Sequence, residues 1–516
     1  MRLPRCRAVP AALLLLVMSA CSRHDVPARD VKGGDGVLRV SLAGEPKTLN
    51  PNLGPLDELA LLVTQNIFSR LVTRTDDGKV LPELAERWTQ APDGLSYTFS
   101  LRKGVTFHDG RPLTSEDVRS TFARMSESSN SELAQRLAGV DTPDPQTVTI
   151  RLKAPWAAFI ASIAWYGASI LPAHIYGATA WKNNPANRKP IGSGPFTLRS
   201  WDPGRRIVLE KNPAFFGQGP YIDAIEYVIT DSSTAGVQLL LDGRVDFVMG
   251  RPPNDLLPRL TRTPGIRVST APTDGRTYLA FNVRHAPFDD VRLRRAVNLA
   301  IDRHAIVERV LSGLGTPAVG FYTPAVGWAY NGNARAPAYD GAAAKQLVAA
   351  VAPPPIRFVY PGLPDAAPST LGAEVMRQLE AVGLRIHPRA IPPADLLAYL
   401  FAGGDYDMVI ISGAHGPDPD TLTARFGSTG SMQVMGYANP DLDRVLARGG
   451  SVSDPVQRAA AYFRAQEILA QDLPIAPLYE TIRATVFREG VRGLPQEDAR
   501  GLVADYTFNL VRLPRR

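Results

Sequence analysis

The sequence predicts an α/β protein, because strand-like and helix-like segments alternate through its second half. Its 516 residues suffice for about three domains. The alternating segments are Ile356–Tyr360, Ser369–Val382, Leu384–His387, Ala394–Phe401 and Met408–Ile411. A helix between two strands of one sheet makes a right-handed crossover, so this order predicts a mainly parallel sheet.

The first half is predicted to hold short strands and two helices. A helix capped by Asp57 carries apolar residues at helical spacing as far as Leu71. Thr114 and Asp117 fit a capping box that opens a second helix, which ends near Met125. The predicted strands are Val37–Leu42, Tyr97–Leu101, Thr147–Leu152, Ile207–Glu210 and Ile225–Ile229.

Two long helices are predicted in the second half. One runs from Val291 to Leu311 and is ended by Gly313, since glycine is favoured just beyond a helix C-terminus. The other runs from Pro455 to Leu473. The first helix follows a strand predicted at Tyr278–Val283, and the second precedes a strand predicted at Ile475–Tyr479.

The N-terminus has the pattern of an export signal. Three arginines among residues 2–7 precede a short apolar run at 11–18, and small residues stand directly before Cys21. This pattern resembles a bacterial lipobox, which implies cleavage of residues 1–20, acylation of Cys21 and a membrane anchor. A plain secretory signal with an accidental cysteine is the alternative. Residues 21–36 are polar and glycine-rich and are predicted to form a flexible tether.

Composition excludes several classes of function. The net charge of +7 is spread along the chain, without a Lys/Arg block that alternates with aromatic residues, so nucleic acid is not a favoured partner. Cys6 and Cys21 are the two cysteines. Because the first is lost with the signal and the second is acylated, the mature chain is predicted to have no internal disulfide.

A series of blocks in a fixed order resembles the peptide/nickel-type (family 5) extracellular solute-binding proteins of ABC importers. The resemblance covers residues 37–516. The blocks are Leu49–Pro51, Pro82–Trp88, Asp93–Phe99, Leu101–Gly110, Ile191–Phe196, Asp242–Asp246, Phe281–Val283, Pro287–Ala296, Ala300–Arg303, Asp405–Asp407, Asp418–Asp420 and Asp472–Pro474.

The resemblance implies a two-lobed periplasmic-binding-protein fold (type II, cluster C) with an extra subdomain in the first lobe. Two rigid lobes would close over a solute about a hinge. The implied divisions are residues 37–68, 190–272 and 487–516 for the first lobe, 69–189 for the inserted subdomain and 273–486 for the second lobe. The implied partners are a peptide or similar solute, permease subunits and cytoplasmic ATPases, with the chain a monomer held at the periplasmic or outer surface of a membrane.

The residue inventory argues against catalysis. The seven histidines include no HxxxH or HExxH spacing, and no GxSxG elbow is present. Gly192 and Gly194 do not match a phosphate-binding loop and are interpreted as a backbone feature. No cofactor and no metal site are therefore predicted. An exported hydrolase is the alternative from a different class.

Candidate solute contacts centre on the loop after Met408–Ile411. In the dipeptide-binding branch, the resemblance implies an aspartate three positions before the Asp-Pro-Asp motif, which binds the peptide's amino group, and an arginine near residues 359–364, which binds its carboxylate. Here His415 stands at the first position, and the second segment contains no arginine. A buried ammonium without a carboxylate is strongly disfavoured, so free dipeptides are not the expected solute. The candidates are Gly413, Ala414, His415, Asp418, Trp165, Tyr166, Trp328 and Asn282. Longer peptides remain open, and a nickel chelate that contacts His415 or another non-peptide solute is the alternative.

Overall fold

The computed structural model describes residues 36–53, 58–74, 79–128, 131–165, 167–250, 252–363, 369–393, 395–416, 418–494 and 507–514. Residues 35–516 form one compact unit. The predicted signal, Cys21 and nearly all of the predicted tether lie outside the described residues, as do Asp57 and Tyr166.

The described residues contain seventeen strands and fifteen α-helices. The strands are β1 Val37–Ala43, β2 Val72–Arg74, β3 Val80–Pro82, β4 Ala85–Gln90, β5 Ser96–Leu101, β6 Leu137–Asp144, β7 Thr147–Leu152, β8 Phe196–Asp202, β9 Arg206–Lys211, β10 Ala224–Thr230, β11 Phe247–Val248, β12 Ile266–Phe281, β13 Gly315–Pro317, β14 Ile356–Pro361, β15 Ile386–Ile391, β16 Met408–Ala414 and β17 Ile475–Arg488. The helices are α1 Glu58–Thr64, α2 Ser115–Ala123, α3 Ser131–Arg136, α4 Phe159–Ile163, α5 Ala173–Tyr176, α6 Ser233–Leu241, α7 Leu257–Leu260, α8 Val291–Ala300, α9 Arg303–Leu311, α10 Gly341–Val351, α11 Thr370–Ala381, α12 Leu396–Phe401, α13 Thr421–Phe426, α14 Pro440–Ser451 and α15 Pro455–Asp472.

One large sheet organises the chain. Its strand order is β15-β14-β16-β12-β17-β11-β1-β10-β9-β8, with β13 paired to β17. The prediction of a mainly parallel sheet is wrong. Parallel pairs occur in two groups, β15-β14-β16 and β11-β1-β10, and the two long strands between these groups pair antiparallel with their neighbours.

Those two long strands, β12 and β17, are called the crossing strands below. They connect two separate cores: one packs around β1 and β8–β10, and the other covers both faces of β14 and β16. Their pairing is irregular between Pro272 and Arg276. A register irregularity of this kind bends a strand, so it places a change of direction between the two halves of the sheet. The division predicted between residues 272 and 273 falls at this point and stays a prediction.

A second, four-stranded antiparallel sheet lies within residues 69–189. Its order is β4-β5-β7-β6, and its core includes residues of α2 and α4. The predicted capping box is confirmed, because Thr114 and Asp117 cap α2 reciprocally. The helix predicted after Asp57 is shorter than expected and ends at Thr64.

The long helix predicted over Val291–Leu311 is wrong. Ile301 is extended, with φ −87° and ψ 108°, so the segment is divided into α8 and α9. The side chain of Asp302 accepts a hydrogen bond from the backbone N–H of Ala305 and caps α9. An aspartate at this position satisfies an N–H that a new helix leaves without a partner, so it favours a second helix start over continuation.

Gly192 and Gly194 allow two segments to approach closely. A Cβ at Gly192 would lie 1.9 Å from the carbonyl oxygen of Ile67. The backbone N–H of Gly192 donates to Nδ1 of His108 at 3.2 Å, so that nitrogen is the acceptor, and Nε2–H donates to the Gly194 carbonyl at 3.1 Å. Burial lowers the pKa of His108 to about 4. The pair is thus a backbone feature, stabilised by a neutral histidine.

Candidate ligand-binding cleft

The predicted solute loop follows the end of β16. This strand runs to Ala414, three residues beyond its predicted end, because the crossing strand β12 pairs with it as far as Gly275. The loop continues to Asp420, and α13 begins at Thr421. Since β14 and β16 are parallel, the loop lies outside the carboxyl end of a strand, where ligands of α/β sheets bind.

His415 is fully buried, although an isolated loop histidine is usually a surface group. Its backbone N–H donates to the Asp274 carbonyl at 3.0 Å, and its carbonyl accepts from the Thr421 hydroxyl at 2.6 Å. Its ring lies edge-on to Tyr278 at 5.7 Å. Burial lowers the pKa of His415 well below its usual value, and the cations Arg425 and Arg276 lower it further. The position that would hold a carboxylate in the dipeptide-binding branch therefore holds a neutral ring.

Gly413 and Ala414 are strand residues rather than open loop residues. They pair with Arg276 and Gly275 of β12. Arg425 donates from Nη2 to the Ala414 carbonyl at 2.6 Å. That carbonyl therefore already accepts a hydrogen bond from the protein.

Asp418 forms a buried ion pair with Arg458. The Nη2–Oδ1 distance is 2.7 Å, and both side chains are almost fully buried. Burial raises the pKa of Asp418, and Arg458 opposes that increase. The guanidinium of Arg458 also lies 5.1 Å from the ring centre of Trp328, which is 43% exposed. Trp328 is thus joined to the Asp418 loop through a cation of the protein.

Asp420 joins the loop to the segment predicted as an inserted subdomain. Its Oδ2 accepts a hydrogen bond from Nε1–H of Trp156 at 2.7 Å and lies 3.6 Å from Nη2 of Arg136. Close by, the backbone N–H of Ala157 donates to the Gly450 carbonyl at 2.8 Å. Sequence reasoning did not place Asp420 among the candidates, although the Asp-Pro-Asp motif contains it.

The remaining candidates are dispersed. Trp165 stacks against the guanidinium of Arg74 at 4.2 Å, and Tyr166 lies outside the described residues. Asn282 bonds to the backbone of Tyr406 and Asp407, beside the start of β16. At ~3.3 Å per residue, the length of β16 places Asn282 about 20 Å from His415. Asn282 therefore does not share the site with His415, and its role in the structure is to tie two strands together.

A polar cluster lies where the crossing strands meet the loop. Arg276 is 1% exposed, and its Nε lies 2.9 Å from Oε1 of Glu480. Its Nη2 donates to the Gly320 carbonyl at 2.6 Å. Burial raises the pKa of Glu480 to about 7 and that of Asp274 to about 6, while nearby arginines oppose both shifts. Sequence reasoning missed these three residues because their proximity depends on strand register.

The sequence profile of the bacterial extracellular solute-binding proteins, family 5 (middle region), matches residues 79–433. The chain belongs to this family. Binding a solute outside the cytoplasm is accordingly its class of function, and the family consists of binding proteins rather than enzymes.

Individual proteins agree with that membership. The chain is 29% identical to a probable di/tripeptide-binding protein 5 of Pseudomonas aeruginosa over 83% of its length and 87% of the relative. It is 27% identical to the glutathione-binding protein GsiB of Salmonella typhimurium, over 82% and 85% of the two chains. Its fold matches the periplasmic binding protein DppA of Helicobacter pylori, solved with the peptide STSA, with a TM-score of 0.78, 23% identity and coverage of 93% and 98%. The predicted two-lobed α/β fold is thus confirmed.

The described residues also lack two kinds of feature. They contain no group of three or more His, Cys, Asp or Glu side chains placed to hold a metal ion. Within the same part of the chain, no helix has both the length and the apolar character needed to cross a membrane.

Proposed function

We propose that this chain is the substrate-binding lipoprotein of an ABC importer and captures peptides in the cleft between its lobes. The observation that carries the proposal is the Trp156–Asp420 contact. It joins the Asp-Pro-Asp loop, in the predicted second lobe, to the predicted inserted subdomain of the first. A loop that contacts both lobes lies where closure over a solute occurs, and closure is what a permease recognises.

Peptides are favoured over other solutes by the relatives and by the chemistry of the cleft. By their own descriptions, one curated relative is a probable di/tripeptide-binding protein, the other is a glutathione-binding protein, and the solved structure is a complex with the peptide STSA. Backbone groups of a peptide can pair with strand edges and loop amides whatever its side chains are. Tripeptides and longer peptides are the expected solutes, because the position of His415 is uncharged and residues 359–363 include no arginine.

Cys21 would hold the mature chain at the membrane through acyl chains. Several chains anchor a protein stably, whereas a single one binds only reversibly. The permease and its ATPases would receive the closed, loaded form, and the chain itself would carry out no hydrolysis.

The test is native mass spectrometry of the purified mature chain, followed by calorimetry with di-, tri- and tetrapeptides. Co-purified tri- or tetrapeptide and binding of the longer peptides over dipeptides are expected. A peptide at a hundredfold excess over its Kd should raise the free energy of unfolding by about 2.7 kcal/mol. Multiple-turnover hydrolysis of a bound peptide, or a nickel chelate as the co-purified solute, would contradict the proposal.

A further inference from the structure

Asp274 occupies an unusual place in the crossing strand β12. It lies within the irregular pairing between Pro272 and Arg276, where the strand passes from one half of the sheet to the other. Its side chain is buried, with the residue 4% exposed. A carboxylate that is removed from water in this way is costly unless charged or hydrogen-bonding partners compensate.

One side of the Asp274 carboxylate has protein partners and the other does not. The backbone N–H groups of Gly416 and of Asp274 itself interact with the carboxylate and lower its pKa. Its Oδ2 is buried without a hydrogen-bond partner among the described residues, and no described cation lies within 4 Å to form an ion pair. The structure therefore leaves one acceptor oxygen of a buried acid free.

The other acids around the loop are already compensated. Asp418 pairs with Arg458, and Asp420 accepts from Trp156. Glu480 also has an oxygen without a hydrogen-bond partner among the described residues, but its other oxygen forms an ion pair with the guanidinium of Arg276. Among the acids of this cluster, Asp274 is thus the one with a free acceptor oxygen and no described cation within 4 Å.

The carboxylate that carries the free oxygen interacts electrostatically with arginines from two separate parts of the chain. Arg74, from β2 in the predicted inserted subdomain, and Arg425, from α13 in the predicted second lobe, both lower the pKa of Asp274. Asp274 in turn acts on Glu480 of β17 and on the hydroxyl of Tyr322. Its carbonyl oxygen accepts from the N–H of His415, so the carboxylate is adjacent to the position where the dipeptide-binding branch has its own aspartate.

We propose that Asp274 binds the free ammonium group of the peptide, a role that residue 415 cannot perform in this chain. The inference rests on the proposed function. A peptide ammonium supplies the charge and the N–H donors that Oδ2 lacks, and a charge-assisted hydrogen bond is about twice as strong as a neutral one. The recognised class is therefore peptides with an unmodified N-terminus.

The protonation of Asp274 makes this recognition depend on pH. Burial raises its pKa to about 6, so the carboxylate is ionised at neutral pH. Arg74, Arg425 and Glu480 are the charged side chains that act on it or respond to it, and the His415 ring beside it is neutral. Affinity for a free ammonium should therefore decrease as the pH falls through about 6, whereas affinity for an acetylated peptide should not follow this dependence.

The experiment compares trialanine with N-acetyl-trialanine by calorimetry at pH 7.5. The unmodified protein is expected to prefer trialanine by about tenfold to a hundredfold, the usual effect of a hydrogen bond to a charged group. Asp274→Asn retains an acceptor for Gly416 and should lose this preference while it still binds the acetylated peptide. Asp141→Asn, which removes an exposed carboxylate paired with Arg151, is the matched control and should keep the preference.

Equal binding of the two peptides by the unmodified protein, or a preference retained in Asp274→Asn, overturns the assignment and leaves peptide binding intact. Failure of the unmodified protein to bind either trialanine or any tetrapeptide contradicts the proposed function and this assignment with it. Should Asp274→Asn not fold, the unmodified protein still decides the question. Its preference for trialanine must decrease between pH 7 and pH 5, and a constant preference over that range overturns the assignment.

Discussion

The indole N–H of Trp156 donates a 2.7 Å hydrogen bond to Oδ2 of Asp420, and this bond links the segment predicted as an inserted subdomain to the loop that follows β16. Trp156 itself is buried. The bond excludes water from a carboxylate that also attracts Arg136. It therefore stabilises the contact between the two segments without any contribution from solute.

Trp156→Phe should weaken solute binding, because it retains the ring and removes the donor. Loss of a hydrogen bond to a charged group costs about 1.5–3 kcal/mol. If that cost falls on the closed form alone, the Kd for a bound tripeptide rises by about tenfold to a hundredfold. Calorimetry measures the Kd, and small-angle scattering measures the closed fraction.

The matched control is Trp201→Phe. The indole of Trp201 donates to Glu45 at 2.8 Å, an equivalent bond formed within the predicted first lobe. This variant should lose stability to urea but keep its Kd for the tripeptide. An equal change of Kd in both variants would show that the Trp156 bond has no particular role in closure.

The sequence predicted the fold well where local signals are strong. The capping box at Thr114 and the long helix α15 follow from hydrogen-bonding residues and apolar spacing within one segment. The break at Asp302 was missed because the apolar spacing continues through it, although the aspartate itself is a helix-start signal. The mixed character of the sheet was missed because the pairing of β12 with β17 joins segments about 200 residues apart.

The site was predicted less completely than the fold. The position of the loop at the end of β16 follows from strand order, and the Asp-Pro-Asp motif in this loop made Asp418 a candidate. The burial of His415 and its contact with Asp274 depend on where β12 passes, which no local pattern reveals. Asn282 was selected from its motif, yet its contacts tie strand ends together at the far end of β16.

The stability of the protein should decrease in mild acid because of His108. Its pKa is lowered to about 4 in the folded chain by burial and is near 6.5 when unfolded. Between these values the unfolded chain binds a proton that the folded chain does not, so the free energy of unfolding decreases as the pH falls. The contribution is fully present above about pH 6.5, and at most ~3 kcal/mol is lost by pH 4.

His108→Gln removes this titration, so the free energy of unfolding should depend less on pH. Urea unfolding at pH 7.5 and pH 5.0 measures the difference for both proteins. The variant should be less stable at pH 7.5, since glutamine cannot reproduce both hydrogen bonds to the Gly192–Gly194 segment. Identical pH dependence in the two proteins would mean that His108 is not kept neutral by folding. His415 is buried in the same way and should supply part of the remaining dependence.

Cys21→Ser should release the protein from the membrane. The thiol of Cys21 is the attachment point that the lipobox pattern predicts, and Cys6 lies within the predicted signal. The measurement is the partition of the protein between membrane and soluble fractions after a carbonate wash. The variant should be soluble and bind the same peptides with the same Kd, because residue 21 lies well before the first strand at Val37. Retention in the membrane fraction would contradict the lipoprotein assignment.

The buried ion pair of Asp418 and Arg458 should contribute more to stability than an exposed pair of the predicted second lobe. Asp418→Asn keeps the shape and the acceptor for the N–H of Asp420 but leaves the guanidinium of Arg458 without its counter-charge. Removing one partner of a buried pair costs about 3–5 kcal/mol. Stacking of Arg458 on Trp328 offsets a part of that loss, so a decrease of about 3 kcal/mol in the free energy of unfolding is expected.

Asp441→Asn supplies the control for that variant. Asp441 pairs with Arg444 in α14, and both side chains are more than 60% exposed. An exposed pair contributes about 0–1 kcal/mol, because water already solvates both charges. Urea unfolding of the two variants should therefore differ by about 2 kcal/mol or more. Since Asp418 also fixes the loop that holds His415, its variant should in addition weaken tripeptide binding, whereas Asp441→Asn should leave the Kd unchanged. Equal stability losses in the two variants would show that burial does not strengthen the dependence of Arg458 on Asp418.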